Sequence, residues 1–220
     1  MEYSANGKRA PGRRAVFLDR DGTLVYPRHD PANPDELVVP ETVIPPLRAL
    51  QQAGFLLVLV TNQSCVACGH MTEDDLAVVH AELAERLNRD DVRLDAVYYC
   101  PHHPDGTIPR YAVDCDCRKP APGMFLQAGA DLCIDLSRSW CIGDILDDIE
   151  AGRRAGCRTV LVDLGTESLP ADPRRSPDFV AADTEHALRI ILVREGLMDP
   201  IVLDHRPNSW RWQTILSEAH

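Results

Sequence analysis

Apolar residues fall along this chain in short runs, with helically spaced stretches between them. Ala15 to Leu18 is a brief apolar run that ends in acids and Gly, and Phe55 to Val60 (FLLVLV) is continuous. Unbroken runs of this kind suit a strand covered on both faces. Ala96 to Tyr99, Trp140 to Ile142 and Thr159 to Val162 read as three further strands. Between them the period changes. Thr42 to Ala53 predicts a helix, with Thr42 as its cap, Pro45 and Pro46 in or near the first turn, and Gly54 at its end. Thr72 caps a second helix, in which Leu76, Val79, Leu83 and Leu87 recur at helical spacing. Gly123 to Leu132 and Asp147 to Ala155 predict two more. After Gly165, the loop ESLPADPRRSP leads to DFVAADTEHALRIIL, which reads as a last short strand and a helix.

Alternation of strand and helix predicts an α/β fold: a Rossmann-like parallel sheet with helices on both faces. In such sheets ligands bind beyond the carboxyl ends of the strands. The expected organisation is a flexible N-terminal tail over residues 1–12, one domain over 13–195, and an appendage over 196–220. Trp210 and Trp212 lie in that appendage, where they pack on the domain or on a second subunit; local packing is the simpler expectation. The chain leaves no room for a large inserted cap domain, and a monomer or small homo-oligomer is expected.

Net charge is −11 at pH 7. Most of such a surface repels nucleic acid, but a small anionic substrate can still be held where cations are focused. No apolar run approaches the roughly 20 residues that span a bilayer. The opening MEYSANGKRAPGRRA has no apolar core of a secretion signal, so a cytoplasmic location without membrane contact is expected. In that compartment the eight cysteines read as thiols or metal ligands rather than disulfides.

The expected strand ends carry the chemistry. The first ends in DRDGTL. Asp19 and Asp21 are two apart, so they project to one side of an extended chain, and Gly22 lets the chain turn afterwards. The second ends in TNQS, which brings the Thr61 hydroxyl followed by Asn62, Gln63 and Ser64 as candidate substrate contacts. After the third strand and its long loop come Arg118 and Lys119. The fourth ends in GDILDD, with Asp144 just past the apolar run and Asp147 and Asp148 near the next helix start. Each feature alone has a bland explanation: a turn, a cap, a surface pair. Four in succession favour one shared site for phosphoryl transfer. Asp19 is placed to attack phosphorus, giving an aspartyl-phosphate. Asp21 can protonate the leaving oxygen and then activate water. Grouped carboxylates need a cation, and Mg²⁺ suits oxygen donors and phosphate. Thr61 and Lys119 can hold the remaining phosphoryl oxygens.

DRDGT, TNQS, RKP and GDxxxD together resemble the four signatures of the haloacid dehalogenase (HAD) phosphatase superfamily, over roughly Ala15 to Gly165. The resemblance implies Asp19 as nucleophile and Asp21 as acid/base. It implies Mg²⁺ held by Asp19, the main-chain carbonyl of Asp21, and Asp144, with Asp148 outside the ligand set.

The long loop before Arg118 adds a second pattern. Cys100-x-His102 is followed, after twelve residues, by Cys115-x-Cys117. Three thiolates and an imidazole make a closed tetrahedral set, as in structural Zn²⁺ sites. His103 is a spare that could replace His102, but Cys100-x-His102 mirrors Cys115-x-Cys117 better. A disulfide would supply about 2–4 kcal/mol, whereas zinc in a small peptide site is worth roughly 10–16 kcal/mol. A polar loop without its own core needs the stabilisation that zinc supplies. Clamped by zinc, residues 100–117 would fix Arg118 and Lys119 at the phosphate site and act as a partial lid.

With CRKPxPGM and the long His-to-Cys interval, the pattern resembles the heptose 1,7-bisphosphate 7-phosphatase family of capless, zinc-loop HAD enzymes. Histidinol-phosphate phosphatase domains, with a shorter interval, are the runner-up, and a non-catalytic zinc-stabilised scaffold is the reading from another class. The resemblance gives Arg118 and the segment near Pro27 to Asp30, His29 included, to substrate recognition. Three positions depart from it: Cys65 stands where the family has Gly, and two cations are lost, with Cys68 where the family has Arg and Ile145 where it has Lys or Arg. A bisphosphate carries about four negative charges, so these losses bear on its second phosphate. Cys65 and Cys68 have no second ligand pair in sequence and read as small residues before a helix.

Overall fold

The computed structural model describes residues 12–26, 32–168 and 170–200. Six strands form one sheet: β1 Arg14–Leu18, β2 Phe55–Asn62, β3 Ala96–Cys100, β4 Trp140–Gly143, β5 Arg158–Val162 and β6 Phe179–Ala181. All pairs are parallel and the order is β3-β2-β1-β4-β5-β6. The direction in which strands are added reverses between β1 and β4, and that crevice is where such sheets bind ligands.

Alternate strand residues enter opposite layers, which is why the apolar runs are unbroken. Val16, Leu18, Leu57, Leu59 and Ile142 join one core, while Ala15, Phe17, Leu56, Val58, Val60 and Cys141 join the other. The first layer is closed by helices α1 (Ile44–Gln52), α3 (Glu73–Arg89) and α6 (Thr184–Arg194); the second takes α4 (Gly123–Asp131) and Ala151 of α5 (Leu146–Ala155). A short α2, Ser64–Ala67, follows β2.

Thr72 caps α3 as expected: its hydroxyl accepts from Asp75 N at 3.1 Å while Asp75 Oδ2 accepts from Thr72 N at 2.8 Å. Thr42 does not cap α1. It lies inside a 3₁₀ turn, Glu41–Val43, and α1 starts at Ile44 with no side-chain cap. Pro45 and Pro46 lack N–H groups, so the first turn has fewer orphan donors for a cap to satisfy. No large cap domain interrupts the described residues, and none of their helices is long and apolar enough to cross a membrane. The tail at 1–11, the segment 27–31 with His29, and residues 201–220 with Trp210 and Trp212 lie outside the described residues.

Candidate active site

The carboxyl ends of β1, β2 and β4 and the segment after the cysteine loop converge on Lys119. Its ammonium is buried and sits 2.6 Å from Asp19 Oδ1, 2.5 Å from Asp148 Oδ1 and 2.9 Å from the carbonyl oxygen of Val60. Oxygens of Asp19, Asp144 and Asp148 lie within 4.8 Å of one another. Close approach of the two motif loops requires glycine. A Cβ on Gly22, whose φ is +83°, would fall 2.4 Å from Asp144 Oδ2, and one on Gly143 would fall 2.2 Å from Asp148 Cβ.

Burial governs the electrostatics. Desolvation raises the Asp19 carboxyl to about 6; Lys119 opposes the shift, while Asp148 and Asp21 add to it. Asp144 is raised to about 7, again by desolvation first and then by Asp19 and Asp148. For Lys119 burial works the other way, but the Asp148 and Asp19 carboxylates override it and keep the ammonium charged. Three carboxylates facing one lysine leave an excess of negative charge. An all-oxygen donor set of this kind fits a hard divalent cation such as Mg²⁺.

Thr61 is buried at the end of β2, where its Oγ1 accepts from Gln63 Nε2 at 2.8 Å. Asn62 uses its amide on the framework: Oδ1 accepts from Lys119 N and Nδ2 donates to the Lys119 carbonyl, both at 3.0 Å. Gln63 also stays inside, donating to Asp21 Oδ2 at 3.3 Å and accepting from Arg20 Nη2 at 2.7 Å. Ser64 Oγ accepts from Arg118 Nη1 at 2.8 Å, and the same nitrogen donates to the His102 carbonyl at 3.1 Å. Asn62 and Gln63 are thus tied to the site's own residues.

Sequence reasoning misses one member of this cluster and the partner of another. Asp148, expected outside the ligand set, is buried, with Oδ2 accepting from Ile145 N at 3.3 Å and Oδ1 meeting Lys119. The GDxxxD spacing is the available signal, since it sets Asp148 one turn beyond Asp144. Arg20, between the two motif aspartates, is wholly buried and carries no signal in the linear pattern.

The cysteine loop gathers Cys100, His102, Cys115 and Cys117. Sulfur separations are 3.5 Å (Cys100–Cys115), 3.1 Å (Cys115–Cys117) and 3.2 Å (Cys117–Cys100), with His102 Nδ1 3.4 Å from Cys117 and 3.7 Å from Cys100. A tetrahedral ion with bonds of about 2.3 Å has ligand edges of about 3.8 Å, so the set could hold zinc after slight expansion. None of the eight cysteines is in a disulfide. His103 stays out of the cluster, and its Nδ1 accepts from Asp105 N at 3.1 Å. Cys65 and Cys68 belong to neither ligand group among the described residues; Cys65 Sγ lies 3.0 Å from Met71 Sδ.

A HAD-hydrolase-like family pattern matches residues 116–187. The chain is 43% identical over 171 residues to D-glycero-beta-D-manno-heptose-1,7-bisphosphate 7-phosphatase of Haemophilus ducreyi, covering 77% of this chain and 93% of that one. Its counterpart in Escherichia coli O6:H1 is 40% identical over 179 residues, covering 80% and 94%. This chain belongs to the HAD-like phosphatases. Solved structures agree. A HAD-like phosphatase of Mesorhizobium loti superposes with a TM-score of 0.74 at 35% identity, over 91% of this chain and 93% of that one. The D,D-heptose 1,7-bisphosphate phosphatase of B. bronchiseptica, solved with magnesium and phosphate, gives 0.68 at 29% identity, over 82% and 99%. As a HAD-type phosphatase the chain is a phosphoric monoester hydrolase, and the cluster around Lys119 stands where this fold keeps its ligand.

Proposed function

We propose that this phosphatase removes the 7-phosphate of D-glycero-β-D-manno-heptose 1,7-bisphosphate, in the cytoplasm, on the way to a sugar-nucleotide precursor. The observation that carries the reading is Lys119, buried between Asp19 and Asp148 beside Asp144. The names of relatives at 40–43% identity supply the substrate.

Asp19 is the nucleophile. One of its carboxylate oxygens bonds to phosphorus as the bond to the sugar oxygen breaks, and Asp21 gives its proton to that oxygen. Asp21 then takes a proton from the water that attacks phosphorus and breaks the Asp19–phosphate bond. Thr61 and Lys119 hold phosphoryl oxygens while charge develops, and Asp148 keeps Lys119 charged and aimed. Arg118 meets the substrate from the edge of the cysteine loop, with Ser64 beside it, and the Pro27–Asp30 segment, His29 included, is given a further share in recognition. Asn62 and Gln63 shape the pocket through Lys119 and Asp21.

Asp19, the Asp21 carbonyl and Asp144 would hold Mg²⁺, which when bound offsets the joint charge of carboxylates and phosphate. Cys100, His102, Cys115 and Cys117 would hold a structural Zn²⁺. All of these residues belong to a domain over 13–195.

The test is phosphate release with Mg²⁺ from both heptose 1,7-bisphosphate anomers, heptose 7-phosphate and histidinol phosphate. Fast release from the β anomer supports the proposal. Release confined to a monophosphate would sink the bisphosphate assignment and trace to Cys68 and Ile145, the latter 36% exposed where a cation is absent.

Metal binding should be tied to pH. Asp19 and Asp144 are raised above the ordinary carboxylate value, to about 6 and about 7. Without metal, their contribution to stability is fully present below about pH 4 and is lost as pH rises through those values. Cation binding needs both carboxylates ionised, so it competes with the proton. The rise in melting temperature on adding Mg²⁺ is therefore expected to be larger at pH 8 than at pH 5.5, as read by differential scanning fluorimetry. An equal rise at both would contradict a carboxylate site.

A further inference from the structure

Arg20 has no role in the steps above, yet its side chain is wholly buried. A guanidinium without water needs fixed partners. Nε and Nη2 both donate to Asp21 Oδ2, at 3.0 and 2.6 Å, and Nη2 also reaches Gln63 Oε1 at 2.7 Å. Nη1 lies 3.2 Å from Nε2 of His80, a buried residue of α3. A guanidinium only donates, so His80 Nε2 is the acceptor and the ring is neutral with its proton on Nδ1. Gln63 closes the circuit by donating to both Thr61 Oγ1 and Asp21 Oδ2.

We infer that Arg20, backed by His80, is a positioning residue that aims the Asp21 carboxylate at the leaving oxygen. The Asp21 side chain is 37% exposed and precedes Gly22, whose φ of +83° marks a sharp turn, so little packing fixes its direction. The buried fork supplies that direction. Three N–H donors converge on Oδ2 and hold negative charge there, so the proton in transit travels on Oδ1. His80 holds the far end of the guanidinium and keeps the fork from rotating. The inference rests on Asp21 as acid/base.

The experiment compares two substrates in single turnover: heptose 1,7-bisphosphate, whose alkoxide leaves only with a proton, and p-nitrophenyl phosphate, whose phenolate leaves without one. A misaimed acid slows the first alone; a damaged fold slows both. For Arg20→Met the expected result is a roughly 10–100-fold loss on the sugar ester, with the p-nitrophenolate burst within about threefold of wild type. His80→Phe keeps the ring volume and should show a smaller split in the same direction, while His80→Gln, which keeps an acceptor, should restore most of it. His80→Phe carries the test if Arg20→Met does not fold. Equal losses on both substrates, or no loss on either, overturn the inference. Asp21→Asn is the control: if it too shows no split, the acid/base reading itself has failed.

Discussion

Asp19→Asn is expected to abolish turnover without unfolding the protein. An amide oxygen is a poor nucleophile toward phosphorus, so no covalent intermediate forms. Loss of such a nucleophile costs roughly 10⁴-fold or more, which phosphate release would read as background. Stability should move little or upward at pH 8. Burial raises the Asp19 carboxyl to about 6, so holding it ionised in the fold is unfavourable above that pH, and removing the charge relieves the cost. Lys119 loses one partner but keeps Asp148 at 2.5 Å. An Asp19→Asn protein that still turns over at a tenth of the wild-type rate would end the role given to Asp19. One that is inactive because it melts far below the wild type would show a structural role instead.

The second large effect concerns the cysteine loop. Cys117→Ser, or stripping the purified protein with a strong zinc chelator, is expected to lower both stability and activity. The described loop has few apolar contacts of its own beyond Tyr111, Ile108 and the cysteines. A structural zinc is worth roughly 10–16 kcal/mol in isolated peptides. If about 5 kcal/mol of that reaches the folded domain, melting falls by about 10–20 °C. Catalysis falls because the loop's last ligand adjoins Arg118 and Lys119. Arg118 donates to the His102 carbonyl as well as to Ser64 Oγ, so a freed His102 removes one of the two contacts that hold Arg118. KM should rise along with the loss in kcat. Elemental analysis should find one zinc per chain. A Cys117→Ser protein that melts and turns over like the wild type would remove zinc from the account.

The sheet is readable in the sequence for a plain reason. Both faces of β1, β2 and β4 are covered, so residues such as Phe17, Leu57 and Val58 are all buried and leave unbroken apolar runs. The strand ends are readable because the chemistry needs several unusual residues together. What the sequence hides is partnership. Asn62 and Gln63 look like ligand groups in TNQS, but their amides are engaged by Lys119, Thr61, Arg20 and Asp21. Arg20 carries no signal in the linear pattern, and its burial becomes intelligible only through partners such as Gln63 and His80, 43 and 60 residues on. Thr42 fails as a cap because prolines supply no donors, a local fact that the cap pattern overlooks.

The strand order has a consequence for synthesis on the ribosome. β1 is made first and ends at Asp19, but one of its two neighbours is β4, paired Val16 with Trp140. Those partners are separated by roughly 120 residues, a wait of about 6–25 s at about 5–20 residues per second. For that interval the nascent chain carries an apolar strand with one edge unpaired. Premature termination anywhere before Trp140 would leave that edge open permanently, and such fragments are substrates for chaperones or aggregation rather than partial enzymes. The same order couples quality control to chemistry. Asp144 and Asp148 arrive only with β4 and α5, so the carboxylate cluster with Asp19 is complete only in a chain that has made the strand closing its central sheet.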